Sequence, residues 1–89
     1  MLRIRRVVLD ILKPLEPDSV EFTMLLAETH QGCNVHLVVQ EVDKDTETLN
    51  VTITATDLDL ESIKSAIIDA GASLHSIDEV EVENGQVQS

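Results

Sequence analysis

The order in which apolar periodicity changes along this 89-residue chain is the feature that most limits its fold. Alternation at every second residue indicates a strand, whereas apolar residues spaced three and four apart indicate a helix. The alternation is cleanest at residues 49–56, where Val51, Ile53 and Ala55 are predicted to face inward. Read from one end to the other, the patterns predict strand, helix, strand, strand, helix and strand.

The predicted strands differ in how clearly they are marked. Residues 4–12 are rich in β-branched side chains and end just before Pro14, which favours a first strand there. Residues 35–43 are predicted to form the second strand, and a polar hairpin turn at 44–48 leads into the third.

The last strand is predicted at residues 73–82, and its apolar residues do not alternate evenly. One extra residue in a strand reverses the alternation beyond it, so we predict a β-bulge near Asp78 and Glu79. Residues 84–89 are polar and are predicted to form a flexible C-terminal tail.

Acidic residues mark the start of both predicted helices. Asp18 stands three residues before Glu21, which is the spacing of a capping box, and this helix is predicted to run to about Thr29. Asp57 or Asp59 caps the second helix. The stripes predicted to be buried are Val20, Phe22, Leu25, Leu26 and Thr29 in the first helix, and Leu60, Ile63, Ile67 and Ala70 in the second.

Two strand-helix-strand units joined by a hairpin predict a fold of the α+β class. They pack most simply as a four-stranded antiparallel sheet with two helices on one face, which is the ferredoxin-like βαββαβ sandwich. Right-handed crossovers place the first and third strands in the centre. Residues 1–83 are predicted to form a single domain. Its only aromatic residue is Phe22, so the core is thin and association with other copies would add stability.

The sheet face without helices is predicted to contact another subunit. It is expected to carry Val8, Leu12, Val38 and Val42 among threonine, histidine and charged residues. Exposed apolar patches of this kind are typical of interaction sites. We therefore predict a homo-oligomer that assembles through the open sheet face or the edge strands.

The formal net charge of −11 argues against a nucleic-acid partner, because phosphates attract clusters of lysine and arginine. Arg3, Arg5 and Arg6 are expected to pair with acidic neighbours in the same or an adjacent subunit. Cys33 is alone, which fits a reducing compartment. No long apolar run indicates a signal peptide or a membrane span, so we expect a cytoplasmic protein without a membrane partner.

Residues whose side chains could bind a ligand, coordinate a metal or take part in catalysis are predicted to gather at one edge of the sheet. This expectation assumes that the first and third strands end at the same edge, where the second and fourth begin. The residues expected there or close by are Asp10, Lys13, His30, Cys33, His36, Thr54, Thr56, Asp57, His75 and Ser76. From this set we predict a small-ligand site at Asp10, Lys13, Thr54, His75 and Ser76.

A divalent cation is the alternative ligand. Ca²⁺ and Mg²⁺ prefer several oxygen ligands, and the candidate metal ligands are Asp10, His75, Asp78 and Glu79. The acidic turn with Asp43, Asp45 and Glu47 lacks the glycine and spacing of a calcium loop. A transition metal would instead prefer His30, Cys33, His36 or His75.

An enzyme is the third possibility and the least favoured one. His75 near Asp10 would form an acid-base pair, but only their expected adjacency supports it. Three familiar functions of this fold lack their required residues. The central strands have no aromatic residues to stack RNA bases, the loop after the first strand has no Cys-x-x-Cys for a metal carrier, and it has no arginine for an acylphosphatase.

Three segments carry a resemblance to a known family: LDILKPLEP at 9–17, EVDKDTETLNVTI at 41–53 and HSIDEV at 75–80. They resemble a small archaeal family of uncharacterised proteins, domain-of-unknown-function family two hundred and eleven. The resemblance covers the chain from about Arg5 to Val82. It implies an archaeal cytoplasmic protein with a ferredoxin-like fold that assembles as a homo-oligomer, and it implies no activity.

Overall fold

The computed structural model describes residues 1–85 and has the predicted βαββαβ order. Its antiparallel sheet has the strand order β2-β3-β1-β4, and its core lies between this sheet and the helices. This arrangement confirms the ferredoxin-like α+β prediction. The elements are β1 (Leu2–Pro14), α1 (Ser19–Ala27), β2 (Asn34–Val42), β3 (Thr46–Thr54), α2 (Leu60–Asp69) and β4 (Ser73–Asn84).

Local hydrogen bonds define the helix ends. The carboxylate of Asp18 accepts a bond from the Glu21 backbone N–H at 2.8 Å, and the carboxylate of Asp59 accepts one from the Glu61 N–H at 3.1 Å. The cap of α2 is therefore Asp59 and not Asp57. At the other end of α2, Gly71 has a φ of +82°, which favours glycine.

The core is aliphatic, as predicted, apart from Phe22 of α1. Alternate residues of β1 and β3 are fully buried against the helices: Val7, Leu9, Ile11, Leu49, Val51 and Ile53. In α1 only Phe22 and Leu26 are buried. The prediction that Val20 and Leu25 belong to the buried stripe is wrong, since they are 65% and 38% exposed. Val20 lies two residues from Phe22 and hence on nearly the opposite side of the helix.

The predicted bulge in β4 is confirmed. Leu9 lies opposite Ile77 while Val8 lies opposite Glu79, so Asp78 is the extra residue. Because of this bulge, Ile77 and Val80 both lie on the helix side of the sheet, opposite the core residues of β1.

A second bulge, in β2, moves a predicted surface residue to the other face. Val39 lies opposite Leu49, but Glu41 lies opposite Thr48, so Gln40 is the extra residue. Val42 therefore lies opposite Glu47, on the helix side of the sheet. The prediction that Val42 lies on the open face is wrong, because sequence alternation does not reveal this bulge.

The strands are much longer than the helices that cover them. β1 has 13 residues and β4 has 12, whereas α1 has 9 and α2 has 10. Strands rise about 3.3 Å per residue and helices about 1.5 Å, so roughly 40 Å of strand faces about 15 Å of helix. One end of the β1–β4 pair extends past the helices.

The chain termini meet at this extended end. The Met1 ammonium donates to the Gly85 carbonyl at 2.9 Å, and the Gly85 N–H donates to the Met1 carbonyl at 3.0 Å. Asn84, where the sequence predicts the flexible tail to begin, is the last residue of β4. Residues 86–89, which make up most of the predicted tail, lie outside the described residues.

Candidate functional site

Most of the residues predicted to share one edge of the sheet lie at two opposite ends. β1 and β3 are antiparallel: Lys13 lies opposite Glu47 and Arg6 lies opposite Thr54. The expectation that these strands end at the same edge is therefore wrong. Lys13, His75 and Ser76 lie toward the end where β1 finishes, and Asp10 lies midway along the sheet opposite Asn50. The other residues of the set belong to the opposite end: His30, Cys33, His36, Thr54, Thr56 and Asp57.

Thr54 is thus separated from the rest of the predicted ligand site. Its partner in β1 is Arg6, which is four residues from Asp10. Four residues of extended strand span about 13 Å. A single small ligand would have to bridge that distance to contact both Asp10 and Thr54.

Lys13 lies on the helix side of the sheet and is fully buried. Its ammonium contacts the Glu47 carboxylate at 2.6 Å and donates to the carbonyls of Pro14 and Pro17 at 2.8 and 2.5 Å. These bonds join β1, β3 and the loop between β1 and α1. Lys13 therefore satisfies buried acceptors within the fold and does not face the same surface as Asp10.

Asp10 and Ser76 are brought together as predicted. They lie directly opposite each other on β1 and β4, on the face without helices. The Ser76 hydroxyl donates to the Asp78 carboxylate at 2.7 Å, which places a second acidic group beside this pair. Asn50 completes the set from β3, where it lies opposite Asp10. The four side chains present mainly oxygen atoms.

The remaining predicted metal ligands have other positions or partners. The Glu79 carboxylate accepts a bond from Arg6 Nη1 at 2.8 Å. His75 is the extra residue of a second β4 bulge, and no hydrogen bond joins it to Asp10 among residues 1–85. Within the same residues, no group of three or more histidine, cysteine, aspartate or glutamate side chains is arranged to hold a metal ion.

His30 connects the two helices. Its Nε2 accepts a bond from the Asp59 backbone N–H at 2.7 Å, and its Nδ1 lies 2.8 Å from the Thr29 hydroxyl oxygen. Since that hydroxyl donates to the Leu26 carbonyl, Nδ1 carries the proton. The Cys33 thiol lies 3.4 Å from the Ala27 carbonyl. Both side chains thus have partners within the fold.

Asp59 has a perturbed carboxyl group. The Ser62 hydroxyl donates to its carboxylate at 2.8 Å, and this bond is the main reason that the pKa of Asp59 lies below its ordinary value of 3.8. Backbone N–H groups at the start of α2 and the nearby His30 lower this pKa further.

A polar cleft of about 340 Å³ opens where β1 and β2 begin and β3 ends. Its residue Arg6 is four positions along β1 from Asp10, which lies midway along the sheet. One row of open-face residues crosses all four strands there: Asn34, Thr54, Arg6 and Glu81. The cleft is lined by Arg5, Arg6, Gly32, Asn34, Thr54, Ala55, Thr56 and Glu81. Of the predicted ligand-binding residues, only Thr54 belongs to it.

Hydrogen bonds hold the two arginines of the cleft in place. Arg5 Nε donates to the Ala55 carbonyl at 3.0 Å, and Arg5 Nη1 contacts Glu83 at 2.8 Å. Arg6 is fixed through Nη1 by its bond to Glu79. About a third of each arginine side chain stays exposed. Pairing with acidic residues of the same or an adjacent subunit was predicted, and these pairs lie within one chain.

The chemistry of the cleft is that of a site for a small polar anion. Arg5 and Arg6 supply positive charge and planar donors that match carboxylate and phosphate. Asn34 and Thr54 add neutral hydrogen-bonding groups, and Glu81 provides an acceptor for a ligand amine. The arginines were evident from the sequence but the cleft was not, because its residues come from four strands and two loops.

Comparison with known proteins agrees with the resemblance noted in the sequence. A family model described as "Uncharacterized ArCR" matches residues 5–88. The chain belongs to the DUF211 family. It is 44% identical over 77 residues to the uncharacterized protein MJ0319 of Methanocaldococcus jannaschii, which covers 86% of this chain and 79% of that protein. Neither description assigns an activity to a DUF211 protein.

Among the helices of residues 1–85, none is long and apolar enough to cross a membrane.

Proposed function

We propose that this DUF211 protein is a cytoplasmic, homo-oligomeric, non-enzymatic module that binds a small anionic ligand and has a regulatory role. The observation that carries the proposal is the cleft beside Arg5 and Arg6. Two arginines converge there on a surface that is otherwise strongly acidic. Each arginine is paired with one glutamate, Glu83 or Glu79, so what favours an anion here is the guanidinium N–H donors at the cleft and not a net positive charge.

The size and lining of the cleft favour a ligand of amino-acid size. Its volume of about 340 Å³ is near the lower limit of small-molecule sites, which is roughly 300–1,000 Å³. A carboxylate fits the arginines, and an ammonium fits Glu81. An α-amino acid carries both groups on one carbon, and inorganic phosphate satisfies the arginines alone.

Thermal unfolding in the presence of single amino acids, or of sodium phosphate, tests the proposal. A ligand that binds the folded chain raises Tm in a manner that saturates with ligand concentration. We expect such a shift for at least one amino acid, and we expect Arg6→Gln to abolish it. Arg3→Gln is the matched control, because Arg3 contacts Glu83 at 3.3 Å and does not line the cleft.

Two results would contradict the proposed site. The first is a panel in which neither amino acids nor phosphate give a saturable shift. The second is a shift that Arg6→Gln leaves intact, because the ligand would then bind elsewhere on the chain.

A divalent cation such as Ca²⁺ or Mg²⁺ is the second candidate ligand. The arrangement that favours it is the group formed by Asp10, Asn50, Ser76 and Asp78 on the open face. Oxygen atoms of this type are the ligands that both ions prefer. If a cation binds there, Ca²⁺ or Mg²⁺ will raise Tm over an EDTA-treated sample, and Asp10→Asn will remove the increase. The exposed Asp69→Asn variant is the control. Equal melting curves with and without the ions would exclude this candidate.

A further inference from the structure

The balance of charges around the cleft limits which ligands it can hold. Arg5 is paired with Glu83 and Arg6 with Glu79, at 2.8 Å in each case. Glu81 also lines the cleft, and within residues 1–85 it makes no ion pair. Two guanidinium groups therefore face three carboxylates, which leaves one negative charge in excess.

This excess disfavours a ligand that brings further negative charge. A free anion would add its charge to a site that already has more carboxylates than guanidinium groups, on a chain with a net charge of −11. A zwitterion adds no net charge, and its cationic group can pair with the unpaired carboxylate.

Arg6 and Glu81 are neighbours that do not bond to each other. They lie directly opposite in the register of β1 and β4, but Arg6 Nη1 donates to Glu79 instead. No hydrogen bond in the described part of the chain uses Arg6 Nε or Nη2. These two N–H groups form one edge of the guanidinium, and such an edge binds a carboxylate through two parallel hydrogen bonds. A two-donor edge thus lies beside a carboxylate that has no cation.

A bulge in β1 places both arginines along the same cleft. Arg5 and Arg6 are consecutive, so regular alternation would put them on opposite faces. The register with β4 skips Arg5 between Ile4 and Arg6, which makes Arg5 the extra residue. Its carbonyl accepts a bond from the Ala55 N–H at 3.0 Å, and its Nε donates to the Ala55 carbonyl at 3.0 Å. The bulge is therefore fixed to the residue that follows β3.

The spacing of the strands suits the two charged groups of an α-amino acid. Neighbouring strands lie about 4.8 Å apart, so Arg6 and Glu81 begin one strand spacing from each other. The ammonium and the carboxylate of an α-amino acid are attached to one carbon. A single molecule can therefore contact both side chains.

The remainder of the cleft is uncharged and mostly polar. On the side of Arg6 away from β4, the row of open-face residues continues with Thr54 and then Asn34. The complete neutral lining is Gly32, Asn34, Thr54, Ala55 and Thr56. It offers hydroxyl and amide groups to a ligand and little apolar surface. This lining favours a ligand side chain that forms hydrogen bonds and carries no charge.

We propose that the cleft is selective for a net-neutral α-amino acid with an uncharged polar side chain. Arg6 binds the carboxylate, and Glu81 binds the ammonium and determines the specificity. The inference rests on the proposed function and narrows its ligand, since the anionic group is part of a zwitterion. Inorganic phosphate would satisfy Arg6 but would leave Glu81 without a cation.

Isothermal titration calorimetry with matched pairs of ligands tests this selectivity. Each pair is an amino acid and its analogue without the ammonium: asparagine with succinamate, glutamine with glutaramate, and serine with β-hydroxypropanoate. We expect the best-bound amino acid to bind at least about tenfold more tightly than its analogue, because hydrogen bonds to charged groups are the stronger ones. Leucine should bind more weakly than this amino acid.

Variants of the two charged residues separate their roles. We expect Glu81→Gln to reduce the ratio of the two affinities to about one, because it removes the partner of the ammonium alone. Arg6→Lys keeps the positive charge but lacks the two-donor edge, so it should weaken both members of a pair. Glu41→Gln is the control, since Glu41 is an exposed glutamate toward the other end of β2. Circular dichroism confirms folding, and Glu81→Thr replaces Glu81→Gln if the latter is not folded.

The outcomes distinguish failure of this inference from failure of the proposed function. If phosphate or an analogue binds wild type as tightly as the amino acid, and Arg6→Lys weakens it, the anion site stands and the selectivity for a zwitterion is overturned. A ratio that Glu81→Gln leaves unchanged overturns the role of Glu81. Leucine bound as tightly as the polar amino acids overturns the side-chain preference. If no probe binds, phosphate included, both proposals fail.

Discussion

Lys13 is the only fully buried charged residue among residues 1–85. Its ammonium lies between the Glu47 carboxylate and the carbonyls of the Pro14–Pro17 loop, so the cost of removing it from water is offset by several bonds. Sequence alone suggested a binding role for this lysine, because it was expected at the same sheet edge as Asp10. Its position on the strand decides otherwise: it is two residues from Ile11 and therefore on the core side.

We expect Lys13→Met to destabilise the protein by about 3 kcal/mol, because Glu47 would be left nearly buried without its partner. Urea unfolding at a fixed chain concentration measures this loss. In the double variant with Glu47→Gln, the loss should be clearly smaller than the sum of the two single losses. Additive losses would mean that the two side chains do not interact.

The Asp59 carboxyl has a depressed pKa, so its contribution to stability has a definite sign. Stability from this group is present above the unfolded pKa, near 3.8, and is lost as pH falls through the lower folded value. We expect a carboxyl ¹³C titration by NMR to give a midpoint for Asp59 below 3.8. Ser62→Ala should raise that midpoint, because the Ser62 hydroxyl is the main cause of the shift. A midpoint unaffected by Ser62→Ala would contradict this assignment.

Helix ends and bulges are the elements that fix this fold in detail. The end of α2 forms two successive bonds: the Gly71 N–H donates to the Ile68 carbonyl at 2.9 Å, and the Ala72 N–H donates to the Ile67 carbonyl at 3.0 Å. This is a Schellman motif, and it places Ala72 in the core beside the start of β4. The motif requires a left-handed backbone conformation at Gly71, whose φ is +82°.

We expect Gly71→Ala to cost about 1–2 kcal/mol, because an L-residue is strained at positive φ. A Cβ at this position would meet only the Pro14 side chain, at 3.9 Å, so the cost is conformational and not steric. Urea unfolding measures it. Asp69→Ala is the control, since Asp69 is exposed in the last turn of the same helix. An unchanged midpoint for Gly71→Ala would mean that the motif adjusts without strain.

The bulges show how far strand patterns can be predicted. The bulge at Asp78 was predicted, because uneven spacing of Ile77 and Val80 required it for both to face the core side. The bulge at Gln40 was not predicted. The residues around it are apolar on both sides, so alternation gives no signal, and Val42 was placed on the wrong face.

At the scale of the whole molecule, the exposed apolar residues lie mainly on the helix side. The open face is largely polar, and Val8 is only 5% exposed there although no helix covers it. Oligomerisation was predicted from an apolar open face. Oligomerisation stays a prediction, and the exposed apolar residues of the helix side follow from the mismatch between long strands and short helices.

If the folded chain is stabilised by association, its thermal stability must depend on chain concentration. We expect Tm of the wild type to rise with protein concentration, because dilution would dissociate the proposed homo-oligomer. Differential scanning calorimetry over a wide range of concentrations measures this dependence. A concentration-independent Tm for wild type would show that association does not contribute to stability.

The amino-acid sequence by itself determined the element order, the antiparallel sheet, the aliphatic core, the cap at Asp18 and the bulge at Asp78. Each of these follows from periodicity or from bonds between residues close in the chain. It also determined the family, and it brought Asp10 and Ser76 together correctly through the strand order.

Only the tertiary structure decided the rest. Because β3 runs antiparallel to β1, the residues predicted to share one edge of the sheet are separated along it, and Thr54 lies beside Arg6. The cleft combines Arg6, Asn34 and Glu81 from three strands, and no local pattern links residues so far apart in the chain. Its position depends on the register of the strands, and the exposure of Leu2 and Val82 depends on how far β1 and β4 extend past the helices. Both are set when the strands pair.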